Sequence, residues 1–162
     1  LDRQLSMRRI MMRLLTLKPE IRGIALITAG GKVYQLGDTG KTIDDDILKE
    51  QDWLRDFQNS GEILEVTAVH DKAYYDDGKD GLAITVCRRI LDYKGAYVGV
   101  LLIDLDPGSL IQLNDDFLLT RNEYNIKICI TNSQNGLLFD SDVVSGRMTW
   151  KENHTTAGGK QY

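Results

Sequence analysis

The chain has few of the residues that build reaction centres. Of 162 residues only two are histidine and two cysteine. His70 and His154 have no partner at ligand spacing, and no C-x-x-C occurs, so a zinc site is not expected. There is no G-x-S-x-G, no phosphate-binding loop and no G-x-G-x-x-G. No catalytic or cofactor-binding residue is therefore assigned, and the chain is not expected to be an enzyme. No stretch approaches 18 consecutive apolar residues, so none reads as a membrane span, and no signal peptide is recognised. The net charge is -4. That balance argues against nucleic acid, which needs a basic stripe, and weakly against docking on an anionic membrane.

What is present is a compact alternation of elements. Residues 1–18 read as a helix with Met7, Ile10, Met11 and Leu14 on one apolar stripe and Leu5, Met12 and Leu15 on a second. One stripe suits a sheet and the other a partner chain. Pro19 ends the helix. Two strands, 21–28 and 32–36, flank Ala29-Gly30-Gly31, a hairpin whose glycines reach positive φ easily. Asp44, Asp45 and Asp46 suit the positive end of a helix dipole, opening a helix over 43–59 that carries Trp53 and Phe57 at i, i+4. Gly61 releases the chain into a strand over 62–70.

The most informative stretch is 81–110. It reads as a strand (82–91), a turn (92–95) and a nearly all-apolar strand (96–105) that ends at Asp104. Asp106 and Pro107 then start a helix over 107–119, as N-cap and first helical residue. Asp104 shares a face with Val98, Val100 and Leu102, which puts a carboxylate at the mouth of a buried sheet. Trp53 supplies an aromatic plate, and Tyr74 and Tyr75 follow the 62–70 strand. Arg88 and Arg89 alternate to opposite faces, so one of them points inward; Arg88 is the candidate. Concave apolar sites with a few convergent polar groups hold small molecules. The candidate ligand-binding residues are thus Trp53, Tyr74, Tyr75, Arg88 and Asp104.

The loop 71–81 starts like a calcium loop, but Gly78 and Cys87 stand where ligands are needed, so it reads as a solvated hairpin loop. Cys87 and Cys129 both lie in strand-like apolar runs and read as buried thiols, with a disulfide between them left open. Ile126–Thr131, a polar turn and Leu137–Phe139 echo the opening hairpin about a hundred residues on, which suggests the start of a second, incomplete unit. Residues 141–162 read as loop.

The hairpin IRGIALITAGGKVYQL (21–36), the helix end EQDWLRDF (50–57), the stretch ITVCRRILDYKGAYVGVLLIDLDPGSL (84–110) and the second hairpin IKICITNSQNGLLFDS (126–141) together resemble the extracytoplasmic double-Cache sensors of YesM-type bacterial histidine kinases. The resemblance implies an α+β fold: a long N-terminal helix, then a PAS-like antiparallel sheet flanked by helices, plus the start of a smaller PAS-like unit. The implied organisation is a dimerisation helix (1–20), a membrane-distal sensor unit (21–119) and the beginning of a membrane-proximal unit (120–162). It implies a periplasmic or cell-surface module anchored by flanking membrane helices outside this chain, homodimeric in the receptor, in front of a cytoplasmic kinase. No cofactor is implied. Amino-acid-binding relatives carry an arginine two residues before a Trp-Tyr pair; here those positions are Gln51 and Leu54, beside Trp53. Glutamine does not replace a bidentate cation, so a sugar, oligosaccharide or peptide is expected rather than a free amino acid. The rival readings are a non-sensing PAS-like interaction or scaffold module, a chemoreceptor sensor, and a cytoplasmic cofactor-holding PAS domain.

Overall fold

A computed structural model describes residues 2–37, 42–75, 81–110, 129–131 and 137–140. The order is α1 (Asp2–Leu17), β1 (Ile21–Thr28), β2 (Val33–Gly37), α2 (Asp45–Lys49), α3 (Asp52–Ser60), β3 (Leu64–Val66), β4 (His70–Asp71), β5 (Leu82–Leu91), β6 (Tyr97–Leu105), α4 (Pro107–Leu110), β7 (Cys129–Thr131) and β8 (Leu137–Asp140). The fold is α+β. One open antiparallel sheet runs β2-β1-β6-β5-β3, with β4 also paired to β5, an arrangement compatible with a PAS-like layout.

Strands β1 and β6 are apolar on successive residues because both sheet faces are covered. Ala25, Ile27, Val100 and Leu102 face α2 and α3, in one core with Leu48, Leu54, Phe57, Tyr74 and Tyr75. Ile24 packs on the other face with Met11 and Leu36, joined by Met7, Leu15, Leu26 and Leu101. The sheet is thus the middle layer between α1 and the α2–α3 pair.

The expected helix 43–59 is two helices. Leu48 and Leu54 lie about 240° apart on a continuous helix, yet both are buried. A break at Gln51, with extended φ -63 and ψ 128, turns both inward. Asp44 caps α2, its Oδ1 accepting from the Asp46 and Ile47 amides at 3.0 Å, as the acidic run implied. Gly61, at φ 76, ends α3 in the left-handed conformation. The expected strand 62–70 is also split. Between β3 and β4 the Val69 amide turns away and donates to the Leu137 carbonyl of β8 at 2.6 Å.

Hairpin β7–β8 is antiparallel, matching the expected pairing of the second hairpin. Cys129 is exposed rather than buried, because β7 lies in a two-stranded sheet of its own. Cys87 is buried, and burial pushes its thiol far up, which makes it inert. The expectations for 76–80, 111–128, 132–136 and 141–162, including most of the helix 107–119, the second unit and His154, lie outside the described residues. No helix among the described residues is long and apolar enough to cross a membrane.

Candidate ligand site around Asp104

Asp104 ends the α3-facing side of β6 and pairs in register with Thr85 of β5 and Gly23 of β1. It is buried, and a buried carboxylate is costly unless hydrogen-bonded. Three hydroxyls meet that need. Tyr74 and Tyr75 donate to Oδ2 at 3.0 and 2.7 Å, and Thr85 donates to Oδ1 at 2.6 Å. Gly23 makes room, since a Cβ there would collide with the Tyr75 hydroxyl. Tyr75 is held in place by a bridge to Ile43 in front of α2. The Asp44 amide donates to the Tyr74 carbonyl at 2.7 Å.

A histidine extends the network. His70 Nδ1 lies 3.1 Å from the Asp71 carbonyl, and Nε2 lies 2.9 Å from Thr85 Oγ1. A carbonyl only accepts, so Nδ1 carries the proton of the neutral ring. Burial lowers the His70 basicity, against opposing contributions from the Asp71 carbonyl and the Asp104 charge. In the neutral ring the single Thr85 proton is then claimed by two acceptors, Asp104 Oδ1 and His70 Nε2. Burial, followed by the Asp104 charge, pushes the Tyr74 phenol well above its ordinary value, so it stays a donor.

Trp53 closes this end. Its ring stacks on His70 at 4.7 Å between centroids and lies 6.1 Å from Tyr74. Its indole N–H is buried and has no hydrogen-bond partner among the described residues. Such an orphan donor costs about 1–3 kcal/mol. Among the described residues it is the one buried side-chain polar atom without a partner.

Four of the five sequence candidates, Trp53, Tyr74, Tyr75 and Asp104, therefore come together. Arg88 does not join them. It pairs laterally with Leu64 and Leu101, shares the α1-side face with Leu101, and is exposed. The arginine on the α3 side is Arg89. Its guanidinium lies 5.5 Å from both the Phe57 and Tyr97 rings and donates to the Phe57, Gln58 and Glu62 carbonyls. It thereby caps the negative end of α3. Alternation alone left open which arginine faced inward, and Cys87 settles it, because the buried thiol and Arg89 are two residues apart. His70 and Thr85 were missed. Their signal, a threonine opposite Asp104, depends on strand register. Asp104 itself differs from the sequence picture, since both oxygens are taken by the chain's own hydroxyls.

Comparison with protein-family models and with curated proteins gives no match.

Proposed function

We propose that this chain is a ligand-sensing module with a PAS-like, Cache-type fold, the extracytoplasmic part of a membrane-bound two-component sensor histidine kinase. The observation that carries the reading is the Trp53 indole N–H, buried without a partner beside His70 and Tyr74. A bound acceptor relieves that cost. In this reading Trp53 contacts the ligand, while Asp104 positions the tyrosines and His70 that frame it. Hydroxyl- and carbonyl-rich ligands suit an N–H donor set among aromatic rings, so sugars, oligosaccharides or peptides fit better than free amino acids. The missing arginine clamp, Gln51 in its place, points the same way.

The N-terminal helix supports a dimer. Ile10, Leu14 and Leu17 stay exposed along one flank of α1, beside an apolar groove of about 520 Å³ that Ile24, Leu26, Ile90 and Leu101 also line. The expected stripes are divided differently: Met7 and Met11 part from Ile10 and Leu14 and pack on the sheet with Leu15. Hairpin β7–β8 fits the start of a membrane-proximal unit. The kinase output, the membrane anchors and the extracellular location rest on the resemblance alone.

A second reading, a PAS-like interaction module without a ligand, is favoured by the saturation of Asp104. Indole N–H resonances separate the two. With Trp53 identified by Trp53→Phe, its signal should move on addition of a cognate sugar or peptide. A Trp53 signal unmoved by oligosaccharides and peptides at millimolar concentration favours the interaction module.

A further inference from the structure

We propose that the outer flank of α1 docks on an anionic lipid surface. This step is independent of any small ligand at Trp53. Helix α1 carries four arginines against one aspartate, a charge of +3 on a chain whose net charge is -4. On the opposite side of the sheet, residues 45–60 hold five acids against two bases, a charge of -3. Among the described residues, the helices on the two sides of the sheet thus carry opposite charge, although the chain's total is acidic. A total of -4 does not by itself decide docking when one helix carries a local charge of +3.

The same flank exposes apolar side chains. Helical angles place Leu5, Arg9, Met12 and Arg13 away from the Met7–Met11–Leu15 stripe that meets the sheet, with Arg8 at the edge of that stripe. Leu5 and Met12 are about half exposed, at 51% and 49%. These five residues line one shallow groove of about 330 Å³. Basic side chains around a short apolar strip are what lets a helix lie in a bilayer interface. Arginines pair with phosphates while their stems cover apolar surface. A second copy fits this flank less well, since it would bring its own arginines against these; the Ile10, Leu14 and Leu17 flank lies on the other side of the sheet-facing stripe. Nucleic acid fits less well too, because its backbone leaves Leu5 and Met12 uncovered and meets a chain of net negative charge.

Vesicle co-sedimentation of the whole chain tests this. Phosphatidylcholine vesicles with about a quarter phosphatidylglycerol should bind it at low salt, and pure phosphatidylcholine should not. Each arginine near such a surface contributes about fivefold, so Arg8→Gln, Arg9→Gln and Arg13→Gln together should weaken binding about a hundredfold. Raising salt to about 0.5 M should release the protein, because screening shortens the reach of the charges. Leu5→Ser with Met12→Ser should weaken binding at unchanged charge. Lys49→Gln with Arg55→Gln, on the acidic side, should bind like the parent chain. Circular dichroism checks that every variant is folded. No binding to the anionic vesicles, equal binding to both kinds, or full binding by the triple variant overturns the proposal. So does a lipid-free, concentration-dependent dimer that the triple variant abolishes.

Discussion

The Tyr75 hydroxyl reaches Asp104 Oδ2 at 2.7 Å through the space above Gly23, where a side chain would collide with it. Three strands and a loop are thus locked by one missing methyl group. Gly23→Ala should push Tyr75 out of the network and strand a carboxylate that loses one of its three hydroxyls. The expected cost is about 2–4 kcal/mol of stability, read by urea denaturation. A cost under about 0.5 kcal/mol would show that Tyr75 moves without penalty.

Asp104→Ala should destabilise the fold, because three buried hydroxyls lose their acceptor together. A loss of about 3–5 kcal/mol is expected. The sequence alone suggested a carboxylate free for a ligand, and hence a variant that folds and merely fails to bind. Thr85→Val is milder, about 1–3 kcal/mol, and leaves Oδ1 and His70 Nε2 without their shared proton. Chemical denaturation ranks the two. Equal stability of Asp104→Ala and the parent chain would mean that water replaces the network.

His70 gives the pH dependence its sign. Burial holds its folded-state basicity below the ordinary histidine value of about 6.5. The folded state therefore resists protonation that the unfolded chain accepts. This contribution is fully present above about pH 6.5 and is lost as pH falls through 6.5 toward the lowered folded value. The expected signature is a fall in melting temperature between about pH 7.5 and 5.5 that is shallower in His70→Asn. Parallel curves for the two proteins would remove His70 as the cause.

Arg89→Ala should cost more than Arg88→Ala. Arg89 fills the end of α3 with three carbonyl bonds and two ring contacts, worth about 1–3 kcal/mol together. Arg88 is exposed and should cost under about 0.5 kcal/mol. Thermal melts of the two single variants test the order, and a reversed order would contradict the facing of β5.

Much of this frame is legible in the chain because period and punctuation agree. Strand 21–28 matches to the residue, and 82–91 does too, since apolar runs bounded by Gly, Pro and Asp leave little choice. The split at Gln51 was not legible, because both halves are strong helix formers and only the shared core demands the turn. Trp53, Tyr74, Tyr75 and Asp104 were legible as residue types at strand and helix ends. Their mutual saturation was not, because it depends on register between β5 and β6 and on the open space at Gly23. The inward facing of Arg88 was not borne out: strand alternation leaves the choice open, and only the packing of Cys87 in the core on the α3 side assigns that face to Arg89.

Differential scanning fluorimetry with oligosaccharides, short peptides and free amino acids, on the parent chain and on Trp53→Phe, tests the central claim most directly. A cognate sugar or peptide at a hundredfold excess over its Kd should stabilise the parent chain by about 2.7 kcal/mol, or about 5–10 °C in Tm. Trp53→Phe should lose most of that shift while keeping its ligand-free melting temperature within a few degrees. The absence of any shift across the panel, a full shift retained in Trp53→Phe, or the strongest shifts with free amino acids would contradict the account.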